Sequence, residues 1–184
     1  MGRYVPASPD AIRARKVGIV VDRVIIHTMQ GTLKGTIAWF QTHKRSVPTA
    51  AHYCIGLDGE IVQMVPDEMK ALHAGSKTQP NWNDRSIGIE HAGWVDDGKL
   101  PSFPMLQASA IVAAIMCLKF DIPVDREHII GHSEVPGATH TDPGEEWPWD
   151  EYMQLVKVQV EGGDSGSGDS GSGDSGSGDR GRVS

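Results

Sequence analysis

Residues 50–65 read AAHYCIGLDGEIVQMV. Two short apolar runs flank Asp58-Gly59, a dipeptide that closes tight hairpins readily, so the stretch predicts two antiparallel strands. Upstream, VVDRVIIHTM (20–29) is a β-branched run of strand length, and KGTIAWFQTHK (34–44) has helical spacing at Ile37, Phe40 and Gln41. Downstream, RSIGIEHAG (85–93) is another buried-strand candidate, and HIIGH (128–132) is a short strand. Between them FPMLQASAIVAAIMCLKF (103–120) reads as a helix apolar on most of its circumference, with Pro104 in its first turn. Strands alternating with helices predict an α/β domain built on one central sheet flanked by helices. The hairpin makes that sheet mixed.

The chain has 184 residues and 39% hydrophobic content, which fits one globular domain with a sizeable core. A formal charge of −7 and the lack of any basic cluster longer than RARK (13–16) argue against nucleic acid as a partner. The opening MGRYVPASPDAIRARK has no apolar signal core, and no run of about 18 apolar residues is expected anywhere, so no membrane association is expected. Cys54 and Cys117 sit in apolar sequence and are expected as buried free thiols. After Glu161 the chain repeats GDSGS units with nothing to bury. Residues 1–161 are therefore expected to be the folded domain, and 162–184 a flexible Gly/Ser/Asp-rich linker or tail. No heptads or long apolar face suggest self-association, so a monomer is expected.

Chemistry concentrates in GHSEVPGATHTDPG (131–144), where His132, Glu134, His140 and Asp142 place two imidazoles and two carboxylates close together. A partner is needed from elsewhere. His27 ends the apolar run RVIIH at the carboxyl edge of a central strand, where α/β sheets gather ligands, and His132 ends HIIGH in the same way. Two strands stopping on histidine, with a carboxylate in the following loop, can converge as His27, His132 and Asp142. That set suits a tetrahedral zinc site with one open position. The alternative is a pair of satisfied strand-end histidines. His43, His128 and His91 have plainer explanations, His91 as a solvated ring at a strand end. Alternation leaves the direction of His52 open. Trp82, Trp94, Trp147 and Trp149 are read as packing residues, with EEWPW seating the last helix.

The segments IIHTM, AAHYCIGLDGEIVQMV, LHAGS, RSIGIE, IIGHSEV and THTDPG, in this order, resemble the N-acetylmuramoyl-L-alanine amidase type 2 family over residues 20–157. That family includes phage endolysins, wall-recycling amidases and peptidoglycan recognition proteins. The resemblance implies a mixed sheet flanked by helices, one Zn2+ per chain held by His27, His132 and Asp142, and bacterial peptidoglycan as substrate. It also implies Glu90 as general base, and His73 and Asn83 as substrate-binding residues of the cleft. Two positions depart from the pattern: His140 stands where a lysine is common, and Ala51 where phage members carry a tyrosine. His140 is expected to stabilise the oxyanion, as a cation or through a neutral N–H. The implied function is hydrolysis of the amide between N-acetylmuramic acid and L-alanine. A phage-type endolysin, held in the host cytoplasm until lysis, leads over a cytoplasmic recycling amidase and over a non-catalytic peptidoglycan-binding module.

Overall fold

The computed structural model describes residues 2–75, 81–95, 97–99 and 101–164. The chain runs through β1 (Arg3–Tyr4), β2 (Ile12–Ala14), β3 (Arg23–Thr28), α1 (Leu33–Phe40), β4 (Tyr53–Ile55) and β5 (Ile61–Gln63). There follow β6 (Met69–Ala71), α2 (Trp82–Arg85), β7 (Ser86–His91), α3 (Phe103–Phe120), β8 (Ile129–Gly131) and α4 (Trp149–Asp164). Six strands form the main sheet in the order β1-β5-β4-β7-β3-β8, while β2 and β6 pair separately. Only β4 and β5 are antiparallel within the main sheet, so the hairpin around Asp58-Gly59 makes it mixed.

The central strands are buried on both faces, which explains why they read as continuous β-branched runs. Val24 and Ile26 of β3, with Ile87 and Ile89 of β7, pack under α3 and α4. On the other face α1 lays Ile37 and Phe40 over Cys54, Val62 and Met64. Side chains alternate along a strand, so Ile25 and His27 of β3 and Gly88 and Glu90 of β7 fall on the face away from α3. Sheet alternation therefore delivers His27 and Glu90 to one side.

α3 has the bounds read from the sequence, with Asp121 closing it in the left-handed region and its N–H bonded to Cys117 O. By length and composition α3 is apolar enough to cross a membrane, which corrects the expectation that no such run exists. Its Met105, Leu106, Val112, Ala113 and Met116 are spent on the core instead. α1 stops at Phe40, short of the expected end, and Lys44 adopts a positive φ incompatible with continuing it. α4 opens at Trp149 and runs to Asp164, past the boundary expected at Glu161, and residues 165–184 of the expected tail lie outside the described residues. Cys54 and Cys117 are buried and free.

Candidate active site

β3 and β8 are adjacent and parallel, so His27 at the end of one and His132 just past the end of the other arrive at the same sheet edge. Asp142 returns to them from the following loop, whose backbone is tied back where Ser133 N–H donates to Asp142 O at 2.9 Å. Gly131 permits this return, because a Cβ there would lie 2.7 Å from Pro143 Cδ. One ligand atom from each of His27, His132 and Asp142 falls within 4.8 Å of the others, and all three residues are buried.

His27 Nδ1 lies 3.0 Å from Asp142 Oδ2, and His132 Nδ1 lies 3.1 Å from Asp142 Oδ1. His132 Nε2 is 3.1 Å from the carbonyl of Ala74, which can only accept, so Nε2 carries a proton, and in the neutral form that ligates metals the Nδ1 lone pair faces the carboxylate. A lone pair facing a carboxylate is repulsive unless a cation lies between them. The donor set thus fits a divalent metal of zinc type, with two imidazoles and one carboxylate. Burial favours neutral His27, lowering its pKa despite the pull of Asp142. Burial alone would raise the Asp142 pKa, but its close contacts with His132 and His27 outweigh it and hold the carboxyl well below its ordinary range. Neutral imidazoles and an ionised carboxylate are the forms that ligate metals.

These residues open onto a cleft of about 1130 Å³ that also takes in Glu90, His73, Asn83, His140 and the apolar wall of Trp39, Val47 and Pro48. Glu90 is opposite His27 in strand register, and its Oε2 is buried without a hydrogen-bond partner among the described residues. Burial, reinforced by the Asp142 charge, pushes the Glu90 carboxyl up to about 8. His140 stacks on His132 with ring centroids 4.8 Å apart, its Nδ1 3.9 Å from Asp142 Oδ1, and is largely exposed to the cleft.

The two residues expected to meet substrate stand at the cleft wall but are engaged inside the protein. Asn83 Oδ1 accepts from the backbone N–H groups of His73 and Ala74 at 2.9 and 2.7 Å, fixing the segment whose carbonyl orients His132. His73 has Nδ1 2.9 Å from His27 Nε2 and Nε2 3.1 Å from Ser86 Oγ. Ser86 is a site residue that the sequence reading did not single out, although Ser86, Gly88 and Glu90 share one face of β7 by simple alternation. Glu134, the other acid of the opening loop, is taken up by Arg126 and the Gly131 N–H, at 2.6 and 2.7 Å. His91 corrects the expectation of a solvated ring: alternation turns it onto the α3 face, fully buried, where Nδ1 donates to His27 O at 2.7 Å and Nε2 meets Ser109 Oγ at 2.7 Å. His52 is also buried, and its Nδ1 accepts from Gly88 N–H at 3.0 Å. Trp147 packs in the core, its ring 4.5 Å from that of His91.

A family model described as N-acetylmuramoyl-L-alanine amidase matches residues 17–145. The chain belongs to that family. Its reaction class is therefore amide hydrolysis. N-acetylmuramoyl-L-alanine amidase A of Achromobacter lyticus is 34% identical over 151 residues, 72% of this chain and 81% of that protein. The 1,6-anhydro-N-acetylmuramyl-L-alanine amidase AmpD of Escherichia coli K12 is 34% identical over 114 residues, 60% of each chain. A crystal structure of a selenomethionine AmpD derivative superposes with a TM-score of 0.68 at 26% identity, covering 84% of this chain and 94% of that one. The amidase fold and the mixed sheet expected from the sequence are both present.

Proposed function

We propose that the chain hydrolyses the amide between N-acetylmuramic acid and L-alanine in peptidoglycan, using one zinc ion held by His27, His132 and Asp142. The observation that carries this reading is the convergence of two imidazoles and a carboxylate, with His132 Nδ1 facing Asp142 Oδ1 while its Nε2 faces the Ala74 carbonyl. Zinc so held supplies Lewis acidity and brings the pKa of a water toward about 7.

The chain's own residues do the rest. Glu90 takes the proton of the attacking water and returns it to the departing amine of L-alanine. Its buried Oε2 has no partner among the described residues, and a pKa raised to near neutrality lets it take and return a proton there. His140, exposed to the cleft and stacked on His132, places an N–H where the carbonyl oxygen develops negative charge. Asn83 holds the 73–74 backbone, and through Ala74 O the ring of His132. Trp39, Val47 and Pro48 offer an apolar wall for the substrate chain.

Two substrates fall within this chemistry. The relative AmpD is a 1,6-anhydro-N-acetylmuramyl-L-alanine amidase, which supports a soluble recycling fragment as substrate. The polar repeat after Glu161 supports an endolysin acting on intact wall, since a recycling enzyme needs no tether. Digestion of purified sacculi and of soluble anhydro-muropeptide, each followed by mass spectrometry, tests both. A new free L-alanine amino terminus from either substrate supports the amidase reading, and the faster substrate distinguishes the roles. Cleavage at any other bond would refute it.

A further inference from the structure

We infer that His73 and Ser86 are positioning residues that lock His27 in one tautomer, with its Nδ1 lone pair aimed at the metal position. This rests on the metal reading above. Ser86 Oγ lies 2.5 Å from Trp82 O. Two oxygens approach that closely only with a proton between them, and a carbonyl has none to give, so the hydroxyl proton of Ser86 points to Trp82. Ser86 Oγ must then accept from His73 Nε2, 3.1 Å away. A neutral imidazole with its proton on Nε2 has a lone pair on Nδ1. His73 is buried and its ring nitrogens face an imidazole nitrogen and a hydroxyl rather than a carboxylate, so nothing balances a charge on it and the ring is neutral.

His73 Nδ1 is 2.9 Å from His27 Nε2 and must accept from it. His27 therefore carries its proton on Nε2, and Nδ1 is bare, 3.0 Å from Asp142 Oδ2. The reverse assignment fails at the far end of the chain. A proton on His27 Nδ1 would need one on His73 Nδ1, would turn the Ser86 hydroxyl toward His73, and would leave Ser86 Oγ and Trp82 O at 2.5 Å with nothing between them. A single main-chain carbonyl in α2 thus sets the direction of every bond as far as the metal position.

The backbone is shaped for this chain of bonds. The His73 ring lies flat against Gly88, where an added Cβ would stand 2.5 Å from its Nδ1. Gly88 is on the same face of β7 as Ser86, so the strand supplies both the acceptor for the ring and the room for it.

Zinc affinity of the chelator-stripped full chain, measured by competition with a chelator of known affinity, tests this, with the thermal midpoint recorded for each variant. His73→Leu should weaken zinc binding about 100-fold and Ser86→Ala about 10-fold, the range in which outer partners of metal-bound histidines act. His73→Asn offers Oδ1 to accept from His27 Nε2–H and should restore affinity to within about threefold of the parent. In the zinc-loaded parent, ¹⁵N imidazole shifts should place the His27 proton on Nε2. The inference is overturned if His73→Leu and Ser86→Ala both bind zinc as the parent does, or if His73→Asn is as weak as His73→Leu, which would make the ring mere packing. In either case stoichiometric zinc in the parent keeps the metal reading standing. A parent that binds no zinc overturns both.

Discussion

His27 and Glu90 face one another in register across the parallel pair β3 and β7. Neighbouring strands lie about 4.8 Å apart, so the proposed metal ligand and the proposed base sit side by side on one sheet face, and neither depends on a loop for its placement. Loops supply only what must close over the site: Asp142, His140 and the 73–74 segment.

Glu90→Gln keeps the shape and hydrogen-bonding capacity of the side chain but removes the base. Turnover should fall about 100- to 10,000-fold, the usual contribution of general acid–base catalysis, with zinc content unchanged. Metal analysis alongside a muropeptide assay checks this. A variant with more than a tenth of parental turnover would remove Glu90 from the mechanism.

His140 is tested by a pair of substitutions. His140→Ala should lower turnover about 100-fold, as loss of one oxyanion donor does, and His140→Lys should retain activity. Zinc content should be the same in both. Equal rates for parent and His140→Ala would reduce His140 to a loop residue stacked on His132.

Buried neutral histidines make the metal-free protein sensitive to acid. Burial depresses His52 and His91 to about 3 from 6.5, and His27 and His73 shift in the same direction. Between those values the unfolded chain binds protons that the folded chain does not, so stability falls as pH drops from 6.5 toward 3. His52 and His91 each cost on the order of 2 kcal/mol by pH 5. Glu90 opposes them: raised to about 8 from 4.5, it favours the folded state at low pH and loses that contribution as pH rises through this window. Chelator-stripped Glu90→Gln lacks the opposing group, and its thermal midpoint should hold from pH 8 to about pH 7 and decline from there to pH 5. A flat profile would contradict neutral burial of these rings.

A second buried chain ties the end of β3 to both covering helices. Tyr152 of α4 meets Ser109 of α3 at 2.8 Å, Ser109 meets His91 Nε2, and His91 Nδ1 donates to the backbone oxygen of His27. Ser109→Ala leaves His91 Nε2 and the Tyr152 hydroxyl unsatisfied in the core, which should cost about 1–3 kcal/mol. Chemical denaturation of parent and variant measures it. A change below about 0.5 kcal/mol, within the range of ordinary surface substitutions, would mean that the chain contributes nothing.

The fold was legible because its signals are local. Period, length and turn chemistry mark β3, β7, α3 and the Asp58-Gly59 hairpin, and the strand-ending positions of His27 and His132 follow from the same runs. β1, β2 and β6 are short and patterned by tertiary pairing alone, so no local signal announces them. Roles set by direction rather than by spacing were harder to read. His91 looks like a strand-end ring until the face it points to is known, and that face is fixed by α3 packing on β7. His73 and Ser86 lie 13 residues apart and meet only because α2 folds the chain back onto β7.

The most direct test of the account is titration of the chelator-stripped chain with zinc while release of the L-alanine amino terminus from a muropeptide is followed. Activity should be absent at the start, rise linearly and saturate at one equivalent. Asp142→Ala and His132→Ala should remain inactive at that equivalence point. Full turnover by the stripped parent, or stoichiometric zinc binding and parental activity in His132→Ala, would contradict the assignment of His27, His132 and Asp142 as the centre of the reaction.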